Sequence, residues 1–147
     1  MKSIILFLET SMPKYLYRSG STQNIKLFNG KILNSTHDIK YKNIPLIYAT
    51  DDISYAAGFC FEWSDSDGFD YGKINNQNWI LRIPKRYQNK LNVKCSMYYL
   101  DTTNFTKIKK ISTPEYLSDQ SAKVLKEIKF NTCWDCLDKY KVKVILI

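Results

Sequence analysis

What most constrains this chain is how short its apolar runs are. β-branched and aromatic residues come in groups of a few, cut by Asn, Gly, Ser or Pro. Such punctuation marks short strands. The runs predict strands at residues 4–8, 15–19, 46–50, 79–83, 93–100, 124–130 and 142–147, with 106–111 a weaker candidate. Within the sixth, strict alternation puts Ile128 and Phe130 on one face, as a half-buried strand requires. Two segments carry helical spacing instead. One starts after Thr50, capped by Asp51 or Asp52, and runs to about Trp63. Ile53, Ala56, Ala57 and Cys60 form its stripe, broadened by Phe59, Phe61 and Trp63. The other runs from Thr132 to about Lys139, capped by Asn131 or Thr132, with Cys133, Trp134 and Leu137 inward. Residues 65–72 and 75–78 read as loops. Many short strands with few helices predict the α+β class.

The length of 147 residues suits one domain, 1–147, with no repeat or linker-like tract. Residues 1–11 read either as an added N-terminal strand or as sequence upstream of a second start at Met12. No apolar run approaches the roughly 20 residues of a membrane span, so the expectation is a soluble protein of the reducing cytosol. Charge is uneven. Residues 1–81 hold 8 Lys+Arg and 8 Asp+Glu, whereas residues 82–147 hold 14 and 6, so the whole net charge of +8 lies in the C-terminal part. That asymmetry favours a phosphate-bearing or acidic partner. An AT-rich coding sequence, suggested by the many Lys, Asn and Ile, accounts for part of it.

Three candidate chemistries are weak. Cys133-Trp134-Asp135-Cys136 is a C-x-x-C, the form of a redox pair or half a zinc site. Further ligands would have to come from Cys60, Cys95 or His37, each isolated in sequence, so the expectation is buried thiols acting as small hydrophobes and no metal. Asp65 and Asp67 resemble the opening of a calcium loop, but Phe69 and Asn76 stand where oxygen ligands are needed. His37, the sole histidine, lies in a polar stretch that reads as surface loop, which disfavours His-dependent hydrolysis.

A spaced set of segments carries more. Tyr17-Arg18-Ser19-Gly20 ends an aromatic strand in an arginine and a turn. Tyr48-Ala49-Thr50-Asp51-Asp52 leads a strand into the first helix, and Glu115-Tyr116-Leu117-Ser118 precedes the late strand. Arg18 offers a planar fork for phosphate or carboxylate, and Glu115 a carboxylate at a strand edge. Together these segments resemble the ADP-ribosyltransferase family, in its arginine–serine/threonine–glutamate version and its small bacterial and phage-type members. The resemblance spans roughly residues 13–147. It implies a split, mostly antiparallel β-sheet with NAD+ bound in the cleft between its halves. Arg18 would then hold a phosphate or ribose of NAD+, and Thr50 would brace the cleft. Glu115 would bind the nicotinamide ribose and stabilise the positive charge that develops as nicotinamide leaves. Tyr55, Phe59 or Tyr48 would stack on the nicotinamide ring. Members that modify arginine carry Glu or Gln two residues before the catalytic Glu. Thr113 stands there in this chain, so arginine is disfavoured as acceptor, and Ser19-Gly20 reverses the family's usual order.

Two function classes follow. The first is an enzyme that uses NAD+ to modify a protein or nucleic acid, or that hydrolyses it. The second is a non-catalytic basic module, for nucleic acid or for a host protein targeted by a phage or mobile element. In that module Lys85-Arg86-Tyr87, Lys107, Lys109 and Lys110 would carry binding.

Overall fold

A computed structural model describes residues 12–32, 43–74, 76–108 and 114–147. Strands dominate, as the short runs predict. In chain order they are β1 (Leu16–Gly20), β2 (Leu27–Phe28), β3 (Lys31–Ile32), β4 (Pro45–Thr50), β5 (Asp70–Gly72), β6 (Ile80–Ile83), β7 (Cys95–Leu100), β8 (Thr106–Lys107), β9 (Glu115–Ser118), β10 (Ala122–Phe130) and β11 (Lys143–Leu146). Helix α1 (Ile53–Ala57) follows β4, and α2 (Cys133–Lys139) precedes β11. Two 3-10 segments, Asp65–Asp67 and Lys85–Asn92, complete the set. The architecture is α+β.

Seven strands form one sheet in the order β2-β10-β7-β1-β4-β9-β8, and β3 also pairs with β4. β11, β6 and β5 form a second sheet. Every pairing is antiparallel except that of β11 with β6. Alternation along β1 divides the large sheet's apolar contacts between two clusters. Leu16 packs with Ile47, Ala49, Tyr98, Leu100 and Tyr116. Tyr17 packs on the larger cluster of Tyr55, Ala56, Cys60, Leu81, Ile83, Met97 and Leu137, which α1 and α2 cover. Ile128 and Phe130 both reach that second cluster, as the alternation predicts.

The seam between β1 and β4 shapes the molecule. These strands share a single residue pair, Tyr17 with Thr50. Four residues earlier along β4, Leu46 pairs with Lys31 of β3 instead. Between these points β4 has lost β1 and not yet gained β3, so the sheet forks. On its other edge β4 pairs with β9 across the fork, from Ile47–Ser118 to Thr50–Glu115.

Several expectations need correction. The first helix ends at Ala57 rather than near Trp63. Asp52 is its cap, accepting from the N–H groups of Ser54 and Tyr55 at 3.0 and 3.1 Å. The chain turns at Gly58 because Tyr71 crosses there, and a Cβ on Gly58 would lie 2.1 Å from the ring. Asp70–Gly72, read as loop, is a strand: it pairs with β6, and Asp70 accepts from Arg82 at 3.0 Å. β9 forms a strand in its own right, whereas the weaker candidate at 106–111 yields only the two residues of β8 among those described. The second helix matches its expected span, with Thr132 as cap. The strand expected at 4–8, His37, Lys109, Lys110 and Thr113 lie outside the described residues.

Candidate functional site

The fork opens into a cleft of about 700 Å³. Arg18, Tyr48, Thr50, Tyr55, Phe59 and Glu115 all line it. Those six are the residues picked out by sequence, and they arrive from β1, β4, α1, the turn after α1 and β9. The β5–β6–β11 sheet contributes nothing to the lining. The cleft therefore lies within the forked large sheet and not between the two sheets.

Arg18 sits where β1 leaves β4. Its Nη1 donates to the Tyr48 carbonyl at 3.0 Å, joining β1 to β4 across the fork. Its guanidinium lies 5.0 Å from the Phe28 ring centre, a cation–π contact. Burial lowers its pKa, but a guanidinium keeps its charge in proteins. Among the described residues it forms no ion pair. Among the described residues Tyr48 takes one of its five donors, and the guanidinium lines the cavity, the arrangement that suits an anionic ligand. The neighbouring Ser19, also in the lining, donates its hydroxyl to the Ala56 carbonyl and so fastens α1 to β1.

Thr50 is almost fully buried and serves the backbone. Its Oγ1 accepts from the Asp52 N–H at 3.0 Å, which shapes the exit from β4 into the helix cap. Asp52 does three jobs at once. It caps α1 with Oδ1, accepts from the Trp79 indole with Oδ2 at 2.9 Å, and stands 3.9 Å from Lys73 Nζ. Next to it, Asp51 accepts from the Tyr116 hydroxyl at 3.2 Å, tying the same turn to β9.

Glu115 opens β9 directly opposite Thr50. Its Oε1 accepts from the Tyr55 hydroxyl at 2.8 Å. That bond fixes the carboxylate by a donor on the helix above it. Tyr55 itself is packed among aromatic rings: Tyr71 stacks at 5.7 Å, Trp79 lies at 4.6 Å and Phe59 meets its edge at 5.1 Å. This corrects one expectation. Tyr55 positions the carboxylate and is not open to stack on a ligand, whereas Phe59, 39% exposed, is the available ring.

Phe59 begins an aromatic wall that sequence reading took for more helix. Trp63 stacks on Phe59 at 5.5 Å and on Phe69 at 5.8 Å, and its indole N–H donates to the Gly58 carbonyl at 2.8 Å. Phe61, Glu62 and Trp63 all line the cleft. The signal was present in the aromatics that broadened the helical stripe. On the opposite side Thr22, Ile25, Phe28, Asn29 and Lys31 line it, from a stretch with no distinguishing pattern. Tyr71 braces the underside by donating to the carbonyls of Ser54 and Tyr55 at 2.8 and 3.1 Å. Burial, then the charge of Asp52, raise its pKa and keep that proton in place.

The remaining candidates fall elsewhere. Lys85, Arg86 and Tyr87 belong to the second 3-10 segment and Lys107 to β8, and none of them lines the cleft. Arg86 is engaged locally, over the Tyr87 ring at 4.8 Å and with the Asp67 carbonyl at 3.3 Å. Asp65 and Asp67 form a 3-10 turn closed by Gly68 in the left-handed region. The cysteines, scattered in sequence, are all buried, and three of their sulfurs converge. Among the described residues no helix is long and apolar enough to cross a membrane. No family model, curated protein or solved structure matches the chain.

Proposed function

We propose that this chain is an ADP-ribosyltransferase-like protein that binds NAD+ in the forked-sheet cleft and cleaves its nicotinamide–ribose bond. One observation carries the reading. Six residues that the sequence motifs single out, from three separate segments, line a single cavity, with a half-buried arginine and a carboxylate held by a tyrosine among them.

The roles follow from chemistry. Arg18, with one N–H on the Tyr48 carbonyl, offers its remaining donors to the pyrophosphate. Phe59 offers a partly exposed ring to the nicotinamide. Breaking the glycosidic bond leaves positive charge on the ribose, and the Glu115 carboxylate stabilises it in an environment already organised by the Tyr55 hydrogen bond. Thr50 contributes indirectly, by fixing the turn that sets Asp52 and α1. The acceptor is a protein side chain, a nucleic-acid group or water. The basic C-terminal part of the chain favours an acidic target.

Binding tests the arginine. In a Glu115→Gln background, where turnover is expected to be lost, NAD+ affinity is measured by calorimetry with and without Arg18→Ala. A charge-assisted hydrogen bond contributes roughly 1.5–3 kcal/mol, so affinity should fall about 10- to 100-fold. Equal affinity for the two variants would remove Arg18 from the ligand.

A further inference from the structure

We propose that Cys60, Cys95, Cys133 and Cys136 hold one zinc ion in a closed tetrathiolate site, and that this ion fixes the aromatic wall of the cleft. The chain has four cysteines, and the fold buries all four in one core cluster. Cys60 lies in the turn after α1, Cys95 opens β7, and Cys133 and Cys136 lie on α2. The sulfurs of Cys60, Cys95 and Cys133 are within 4.8 Å of one another. Cys136 completes the set from one helical turn beyond Cys133, buried in the same core cluster as the other three. Each of the four is 0% exposed.

The geometry suits one ion. At a Zn–S distance of about 2.3 Å, a tetrahedral site sets its sulfurs roughly 3.8 Å apart, so three sulfurs within 4.8 Å need only a small contraction. Sulfurs this close leave no space for a multi-iron cluster. The ligand set is all thiolate and leaves no open position, which is the form of a structural zinc site rather than a catalytic one. Small hydrophobic residues would have no reason to converge. In an apolar core of Leu81, Ile83, Leu91 and Leu137, cysteines serving as filler would be spread through the cluster. On binding, Zn2+ forms four Zn–S bonds and four thiol protons leave to solvent. Two of those protons are on Cys95 and Cys133, which donate to the carbonyls of Thr132 and Cys60 at 3.8 and 3.5 Å. No redox change is involved.

The consequence for the molecule comes from where the ligands sit. Cys60 stands between Phe59 and Phe61, both in the cleft lining. Cys95 belongs to the large sheet, and α2 leads into β11 of the small one. One ion would therefore join the cleft's aromatic turn to both sheets. The site stands on its own geometry, and only its effect on ligand binding depends on the NAD+ reading.

Elemental analysis of the protein purified under reducing conditions tests the site without any variant. One zinc per chain is expected. After chelation in the presence of reductant, the melting temperature should fall. Co2+ should then restore it, with thiolate-to-cobalt charge-transfer absorption and tetrahedral d–d bands that saturate at one equivalent and vanish when zinc is added. Cys60→Ser and Cys136→Ser should each lower the zinc content below one per chain. A folded wild-type chain with four alkylatable thiols, no metal and no Co2+ uptake would overturn the proposal. So would stoichiometric iron in place of zinc, or a disulfide revealed by mass after alkylation.

Discussion

The two walls of the cleft are held in different ways. Arg18, Tyr48, Thr50 and Glu115 stand on strands, and each position is set by main-chain register: Tyr17 opposite Thr50, Thr50 opposite Glu115, Tyr48 opposite Leu117. Phe59, Phe61 and Trp63 stand on a turn that belongs to neither sheet. Their places depend on side chains: the Phe59–Trp63–Phe69 stack, the Trp63 bond to Gly58, and the buried sulfur of Cys60 between them. A backbone ladder survives the loss of one side chain, but a side-chain scaffold does not. The strand wall is therefore suited to chemistry, where atoms must stay fixed, and the turn wall to enclosing a ligand.

The junction between the walls is where this contrast breaks most easily. Asp52→Ala removes the cap of α1 and leaves the buried Trp79 indole without its acceptor. Losing a cap costs about 1 kcal/mol, and an unsatisfied buried donor roughly 1–3 more, so denaturant unfolding should show a loss of about 2–4 kcal/mol. A loss under about 0.5 kcal/mol would show that the cap and the indole bond do not hold α1 in place. Gly58→Ala acts first on the turn wall. Its new Cβ would meet the Tyr71 ring at 2.1 Å, and overpacking of this kind costs roughly 1–3 kcal/mol. Denaturant titration should register that loss together with a change in tryptophan fluorescence as Trp63 moves. Wild-type stability in this variant would mean that the turn yields freely and that the wall is softer than its packing implies.

Sequence legibility follows the same division. β1, β4, β7 and β10 were readable because an apolar alternation or run records burial locally. The helix after Thr50 was overextended because the stripe through Cys60 continues past Gly58, and nothing near Gly58 in sequence reveals that Tyr71 crosses it. Asp70–Gly72 is polar, and its strand character comes from β6 and the Arg82 ion pair. In the site, Arg18, Thr50 and Glu115 were legible as short motifs. Phe28 was not, and Phe61 and Trp63 showed only as apolar residues on a helical stripe, because their place in the cleft depends on the fork and the turn. The cysteines show the limit most plainly. Cys60 and Cys95 are remote from the C-x-x-C in sequence, and only the fold places their sulfurs beside it.

The central claim concerns the strand wall, and one assay addresses it most directly. Purified protein is incubated with NAD+, alone and with added protein or nucleic acid, and nicotinamide release is followed for the wild type and for Glu115→Gln. Because Glu115 is held by strand register, its substitution should leave the unfolding midpoint nearly unchanged, while losing the carboxylate's stabilisation should slow release at least about 100-fold. Equal release by the two proteins, or no release from the wild type under any of these additions, would contradict the account.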